Sequence, residues 1–554
     1  MKKQILFLFV LSTHFSFAHA RVPKSVAKAA SQRTPSQEKP CSRFTAGSIV
    51  QEPKNLFSDK GRLDLSLTYE TDVDEDGNTE FCYRLPSGER SPTLHVQPGD
   101  ILTMTLTNKT PTEVSTAGTK MAPMKDACGP ADMMDNSSTN IHFHGANVPP
   151  VCHQDDSLNT LINSGQSFTY SLHIPKDEPA GLYWYHPHIH GTSEAALLGG
   201  ASGAIVVEGM QHFQHHVAGL RERVLIFRDN LVPDAPKPSE KVPTWDLSLN
   251  FVPIPYPKYP AAVIQMRPGD RELWRVLNAS ADTILDLQLT FDGIVQNIAV
   301  VGMDGVPTSS QDEDVDGHEV IKKHLFLPPA ARVEFIAVAP RKKVKKAELS
   351  TLAIQTGPAG DSDPARPLAS IQVSKDAPAQ LVRLPHEFHI PLISRFKKVQ
   401  KSNIDTKRKL YFSEVISNPA DPSSPTDFFI TVDDGKAKPQ KFDMSLGPAI
   451  TVTQGSVEEW TIENRSTENH EFHIHQIHFL LAARNGVAVA KDDQQFLDMV
   501  DVPFWSGDKK DPYPSVTLQM DFSGDIAGDF VYHCHILGHE DNGMMAKIRV
   551  LPKR

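Results

Sequence analysis

Beyond its first twenty residues the chain has no apolar run long enough to cross a bilayer, which excludes a helical membrane span there. It has no excess of basic residues either: 56 Lys and Arg stand against 67 Asp and Glu, a formal charge of −11. So acidic a surface argues against nucleic acid as a partner. Cysteine is scarce, with five residues in 554. Proline is not, at 43 residues, and strand-like alternation dominates, as in loop-rich all-β proteins. The length sets a prior of two to four domains.

Residues 1–20 read as a secretory signal. Lys2 and Lys3 form its basic end, Ile5 to Phe17 its apolar run, and Ala18-His19-Ala20 a small-residue cleavage site. The run is too short for an anchor, and no Arg-Arg pair precedes it, so a Sec-type signal is expected, with a periplasmic or secreted product. Removing Lys2 and Lys3 with it takes the charge from −11 to −13. Residues 21–40 have almost no large apolar side chains and read as a disordered leader. Export implies an oxidising compartment, where Cys41, Cys82, Cys128 and Cys152 make an even set for two disulfides. Four cysteines allow three pairings. Cys41–Cys82 with Cys128–Cys152 is favoured, because the second would brace the loops on either side of a His-x-His motif.

One pattern recurs three times. Residues 95–108 (HVQPGDILTMTLTN), 265–278 (QMRPGDRELWRVLN) and 451–464 (TVTQGSVEEWTIEN) each place a Gly nine positions before an Asn. The pairs are Gly99 with Asn108, Gly269 with Asn278, and Gly455 with Asn464, and the intervening run reads as a strand entered from a tight turn. Gly-to-Gly spacings of 170 and 186 residues suit one β-sandwich each. The expected domains are 41–210, 211–380 and 381–554, with a second candidate linker near 374–405.

Histidine and the fifth cysteine carry the chemistry. Four clusters stand out: His142-Phe-His144-Gly145; His186-Pro-His188-Ile-His190; His470-Glu-Phe-His473-Ile-His475; and His533-Cys534-His535, followed by His539 and Met544. In an extended chain both imidazoles of a His-x-His point to one face, as a shared metal requires. A Cys and His set with a weak axial Met is the ligand chemistry of an electron-transfer copper. Structural zinc prefers a closed tetrahedron of four Cys or His, so ten imidazoles with one thiolate suit copper better. Two clusters lie in repeat one and two in repeat three. The metals are therefore expected where those sandwiches meet, with the second as a spacer.

These four clusters resemble the copper signatures of the three-domain multicopper oxidases, the group that contains laccases. The resemblance spans most of the mature chain. It implies an all-β fold of three cupredoxin-like Greek-key β-sandwich domains in tandem, and four coppers per chain. By that resemblance a type 1 copper takes His470, Cys534, His539 and, axially, Met544. A type 2 copper takes His142 and His473. A type 3 pair takes His144, His186, His188, His475, His533 and His535. His190 and His478 have no ligand role in the family. His212, His215, His216, His386 and His389 carry no motif. One departure is Glu471, where family members usually have Pro; an acidic residue at the rim of the type 1 site would favour a cationic donor.

The implied reaction is one-electron oxidation of phenols or aromatic amines coupled to four-electron reduction of O2 to water. Glu540 stands where some bacterial laccases place a proton-donating Glu. Asp155 or Asp156 resembles the carboxylate that orients water near the type 2 copper. A second reading is a metallo-oxidase for Cu(I), Fe(II) or Mn(II) in metal tolerance, since Met121, Met124, Met133 and Met134 precede the first His-x-His and thioethers suit Cu(I). A third is a non-enzymatic copper-binding protein of the cell envelope. The expected partners are O2 and a small reducing substrate. The sequence leaves oligomeric state open.

Overall fold

The computed structural model describes residues 39–112, 128–130, 133–232, 241–308, 318–378, 399, 403–418 and 425–553. The secretory segment, nearly all of the leader, Met121, Met124, His386, His389 and most of the 374–405 segment lie outside the described residues.

Period-two alternation builds three β-sandwiches in succession. In the first, a four-stranded sheet ordered Thr79–Arg84, Arg62–Val73, Ile101–Asn108, Ser167–His173 shares a core with a five-stranded sheet. That partner sheet ends on Gly181–His186 and His142–His144. The second sandwich pairs an eight-stranded sheet with a six-stranded one, and the third pairs seven strands with five. The largest apolar core includes Leu182, Trp184, Met499 and Leu537 together with second-sandwich residues such as Trp274 and Phe335, so burial continues across the boundaries.

The repeated pattern occupies one structural position in all three. Ile101–Asn108, Arg271–Asn278 and Val457–Asn464 each pair parallel with an earlier strand and antiparallel with a later one. The Gly that opens each has positive φ (+92, +78 and +87°), the left-handed region that L side chains avoid. The Asn that closes each is fully buried and clamps the loop that follows. Asn108 Nδ2 donates to the carbonyls of Ser137 and Ile162, Asn278 Nδ2 to Thr283 and Leu327, and Asn464 Nδ2 to Glu468 and Val502, all at 2.7–3.0 Å. Each Oδ1 accepts the N–H two residues on.

Repeats two and three share a further network. Trp274 and Trp460 donate their indole N–H to Glu272 and Glu458, and each Glu also takes a two-bond guanidinium, from Arg223 and Arg408. Repeat one has Leu102 and Met104 at the corresponding places.

Two disulfides, Cys41–Cys82 and Cys128–Cys152, brace the first sandwich, and Cys534 is free and buried. No helix among the described residues is long and apolar enough to cross a membrane.

Candidate metal centres

The edge strand His142–His144 of the first sandwich lies against the strand His470–Ile474 of the third, and their imidazoles interleave. His142 stacks on His475 at 3.8 Å and His144 on His473 at 4.0 Å. Neighbouring strands add the rest: His186 stands opposite His142, and His533 opposite His473. Ring nitrogens gather in three groups. His188, His475 and His533 bring their Nε2 atoms within 3.2–3.3 Å of one another. His144, His186 and His535 form a second group, and His142, His144 and His473 a third, each within 4.8 Å.

Pleating separates a fourth group. Cys534 points away from His533 and toward His470 and His539, whose Nδ1 atoms are 3.0 Å apart and each 3.7 Å from Sγ. His539 sits on the short helix Leu537–Asp541. Met544 is fully buried, and its backbone bonds both to Cys534 and to His539.

Burial fixes the charge state. It depresses the pKa of all ten imidazoles, to about 4 for His473 and about 3 for His539. They are therefore neutral at ordinary pH, each with a lone pair to offer. The buried Cys534 thiol is pushed well above its usual value, again mainly by desolvation, so metal binding there must displace a proton. His142 Nε2, His144 Nδ1, His186 Nε2, His473 Nε2 and both nitrogens of His535 are buried without a hydrogen-bond partner. Native interiors seldom leave such atoms orphaned. This donor set, nitrogen-rich with one sulfur, fits copper.

The carboxylates divide. Asp155 is fully buried and accepts His142 Nδ1–H at 2.9 Å, the Phe143 N–H at 2.9 Å, and the Gln476 amide. Burial raises its pKa to about 7. Asp156 is directed instead to the backbone and side-chain N–H groups of Asn159. Glu540 is fully buried, 3.2 Å from His533 Nδ1 and 3.8 Å from His188 Nδ1, without hydrogen-bond alignment to either. Glu471 is neither at a rim nor solvated. Alternation places it on the His473 face, fully buried opposite Asp501, and burial with that neighbour pushes its pKa well up. His478 is buried and bonded to the Asp304 carbonyl, while His212, His215 and His216 are exposed. Met134 packs on Leu161 and Ile189.

Beside His539 lies a cavity of about 230 Å³, whose wall includes Glu194, Asp282, Asp361, Asp363 and Glu468. Among the described residues, no Lys or Arg lines it. Glu468 Oε1 is 3.4 Å from His539 Nε2. The three sandwiches all contribute to this wall.

Two stretches of the chain, 132–212 and 419–554, match family models described as multicopper oxidase. Together they contain all twelve residues of the four candidate groups, Met544 included. The chain carries multicopper oxidase domains at both of these stretches. A multicopper oxidase of Staphylococcus aureus is 24% identical over 517 residues, covering 90% of this chain and 94% of the relative. An iron transport multicopper oxidase of Gibberella zeae is 22% identical, over 74% and 67%. Among solved structures, a Campylobacter jejuni multicopper oxidase described as a metallo-oxidase superposes with a TM-score of 0.64 (24% identity, 92% and 96% covered). A laccase-like multicopper oxidase of Ochrobactrum, described as acting on lignin model compounds, gives 0.62 (18%, 91% and 100%). The multicopper oxidase family implies a copper oxidoreductase with O2 as acceptor.

Counting clusters makes the second sandwich a spacer, and the structure corrects that. Arg332 of the second sandwich runs, fully buried, to Asp498 of the third with contacts of 2.5 and 2.6 Å. Removing one partner of such a pair typically costs about 3–5 kcal/mol. No motif marks Arg332, Asp304, Asp498 or Ser466, so sequence reasoning passed over them.

Proposed function

We propose that the chain binds four coppers and couples one-electron oxidation of a small donor to four-electron reduction of O2 to water. His470, Cys534, His539 and Met544 would hold the type 1 copper. His142 and His473 would hold the type 2, and the type 3 pair would divide His144, His186 and His535 from His188, His475 and His533. The observation that carries this reading is the convergence of ten buried imidazoles and one thiol on four gaps, with bare nitrogens turned inward. Bound copper would supply single-electron acceptance beside Cys534 and multi-electron delivery to oxygen at the histidine cage. The chain does the rest. Cys534 is covalently joined to His533 and His535, one on each side, which links the two centres. Asp155 holds His142 Nδ1–H and so leaves Nε2 bare. Glu540 keeps a carboxyl group at the back of the cage, within reach of His533.

The cavity beside His539 is the proposed donor site. Its carboxyl groups, once ionised, favour cationic donors over neutral phenols. That shifts weight toward the metal-ion reading, with Fe(II), Cu(I) or Mn(II) as donor, in line with the metallo-oxidase and iron-transport descriptions of two relatives. The laccase-like reading, with phenols or aromatic amines, is the alternative and matches the Ochrobactrum relative. Metal analysis, blue absorption and oxygen uptake with Fe(II), Cu(I) and a phenol test both levels. Protein that carries zinc or no metal, or that binds copper without consuming oxygen, overturns the oxidase. Equal efficiency on all donors overturns the cation preference. We further propose Sec-dependent export, supported by the residue 1–20 pattern and the two disulfides, and domain limits at 41–210, 211–380 and 381–554.

A further inference from the structure

We infer that the second sandwich, which supplies none of the candidate copper ligands, sets the geometry of the histidine cage through Arg332 and Asp304 acting on Asp498. The inference rests on the copper assignment above.

Asp498 touches one ligand from each flanking sandwich. Its carbonyl accepts His473 Nδ1–H at 2.8 Å, and its Oδ1 lies 3.4 Å from His144 Nε2. Each contact occupies one ring nitrogen and leaves the other bare. Those bare atoms, His473 Nε2 and His144 Nδ1, are among the orphans of the cage, and both residues belong to the group completed by His142. Asp498 therefore decides which nitrogen each ring presents, a role that outer partners of metal-bound histidines commonly play.

Asp498 is in turn held mainly from the second sandwich, with His478 Nε2 of the third 3.7 Å from its Oδ2. The Arg332 guanidinium grips both carboxylate oxygens in the planar two-bond mode. Asp304 Oδ2 accepts the backbone N–H groups of Asp498 and Met499 at 3.2 and 3.3 Å. Asp304 Oδ1 accepts the Arg332 N–H at 2.8 Å, which ties the two holders together. Arg332 Nε donates to the Leu182 carbonyl of the first sandwich at 3.1 Å, so one side chain contacts both of the others. The space is closed to anything larger. A Cβ on Gly145, the glycine after the first His-x-His, would fall 2.6 Å from Arg332 Nη2 and 2.7 Å from Asp498 Oδ2. Arg332 and Asp304 are thus positioning residues: they touch no candidate ligand through a bond of their own side chains and act through Asp498.

The test uses full-length, copper-loaded Arg332→Gln, Arg332→Lys and Asp304→Asn. Copper content, the blue type 1 absorption and the type 2 paramagnetic resonance signal are read beside turnover. The expected result for Arg332→Gln is an unchanged blue band, with type 2 copper lost or its resonance parameters altered, and turnover reduced at least tenfold. Arg332→Lys restores the charge without the two-bond grip and should fall between. Asp304→Asn, which keeps shape and one acceptor oxygen, should alter the same type 2 signal. A wild-type resonance and copper count in the Arg332→Gln and Asp304→Asn proteins overturns the inference. So does loss of all four coppers in parallel with loss of fold, which would make the pair a general brace. If the wild type itself binds no copper, the copper assignment fails, and that result is separate from these.

Discussion

At the residue scale, the chemistry depends on which nitrogen each imidazole leaves free, and single hydrogen bonds decide it. Ser466 shows this for the candidate type 1 group. His470 Nε2 lies 2.6 Å from Ser466 Oγ, and that hydroxyl donates onward to Asn464 Oδ1 at 2.7 Å. Because the Ser proton is committed to Asn464, Oγ must accept from His470, which leaves Nδ1 bare on the Cys534 side. Ser466→Ala orphans a buried N–H, worth about 1–3 kcal/mol. The expected outcome is a shifted type 1 reduction potential with an unchanged type 2 signal, read by redox titration of the blue band; an unmoved potential would show that Ser466 only packs. Glu540→Leu should slow oxygen reduction about 10²-fold, in the range for a positioned proton donor, while the blue band persists. Unchanged turnover would remove Glu540 from the reaction. Much at this scale was legible: the candidate ligands announced themselves through His-x-His spacing and the Cys between two His. Glu471 was not, because its burial depends on which face the strand turns inward, and adjacent residues there serve different groups.

At the element scale, the same turn, strand and Asn clamp close all three sandwiches. The repeat was visible in the sequence because Gly and Asn are needed for backbone reasons that hold wherever the element recurs: one for positive φ, the other for a side chain that both donates and accepts. The parallel partners of these strands were not visible, since pairing over tens of residues leaves no local trace. The clamp in the second sandwich gives a clean test because no candidate ligand is near it in sequence. Asn278→Ala removes the partners of two carbonyls and one N–H in a fully buried loop. Stability should fall by at least about 2 kcal/mol, measured by urea unfolding of the metal-free protein. Asn278→Asp keeps the acceptor and loses both donors, so it should destabilise nearly as much. A change under about 0.5 kcal/mol in either would show that the loops hold themselves.

At the scale of the whole molecule, the acidic cavity beside His539 is the feature no single sandwich possesses and no motif foretold. Glu194 comes from the first sandwich, Asp282, Asp361 and Asp363 from the second, and Glu468 with His539 from the third. Burial raises Glu194 to about 7, with Asp541, Asp229 and Asp361 adding repulsion. Burial raises Asp363 to about 8, with Arg366 opposing and Asp361 and Asp229 adding. Raised carboxyl pKa values mean that these groups carry protons below about pH 7 and lose them as pH climbs through 7 to 8. The cavity therefore grows more negative over that interval, and its attraction for a cation grows with it. A phenol bearing a quaternary ammonium group, compared with its neutral isostere, isolates the effect, because the ammonium charge does not titrate. From about pH 6 to about pH 9 the preference in KM for the cationic donor should rise about threefold or more. Asp363→Asn together with Glu194→Gln should flatten that rise and leave the neutral donor's KM in place. A preference that stays level in the unmodified enzyme would place donor entry somewhere other than this acidic cavity.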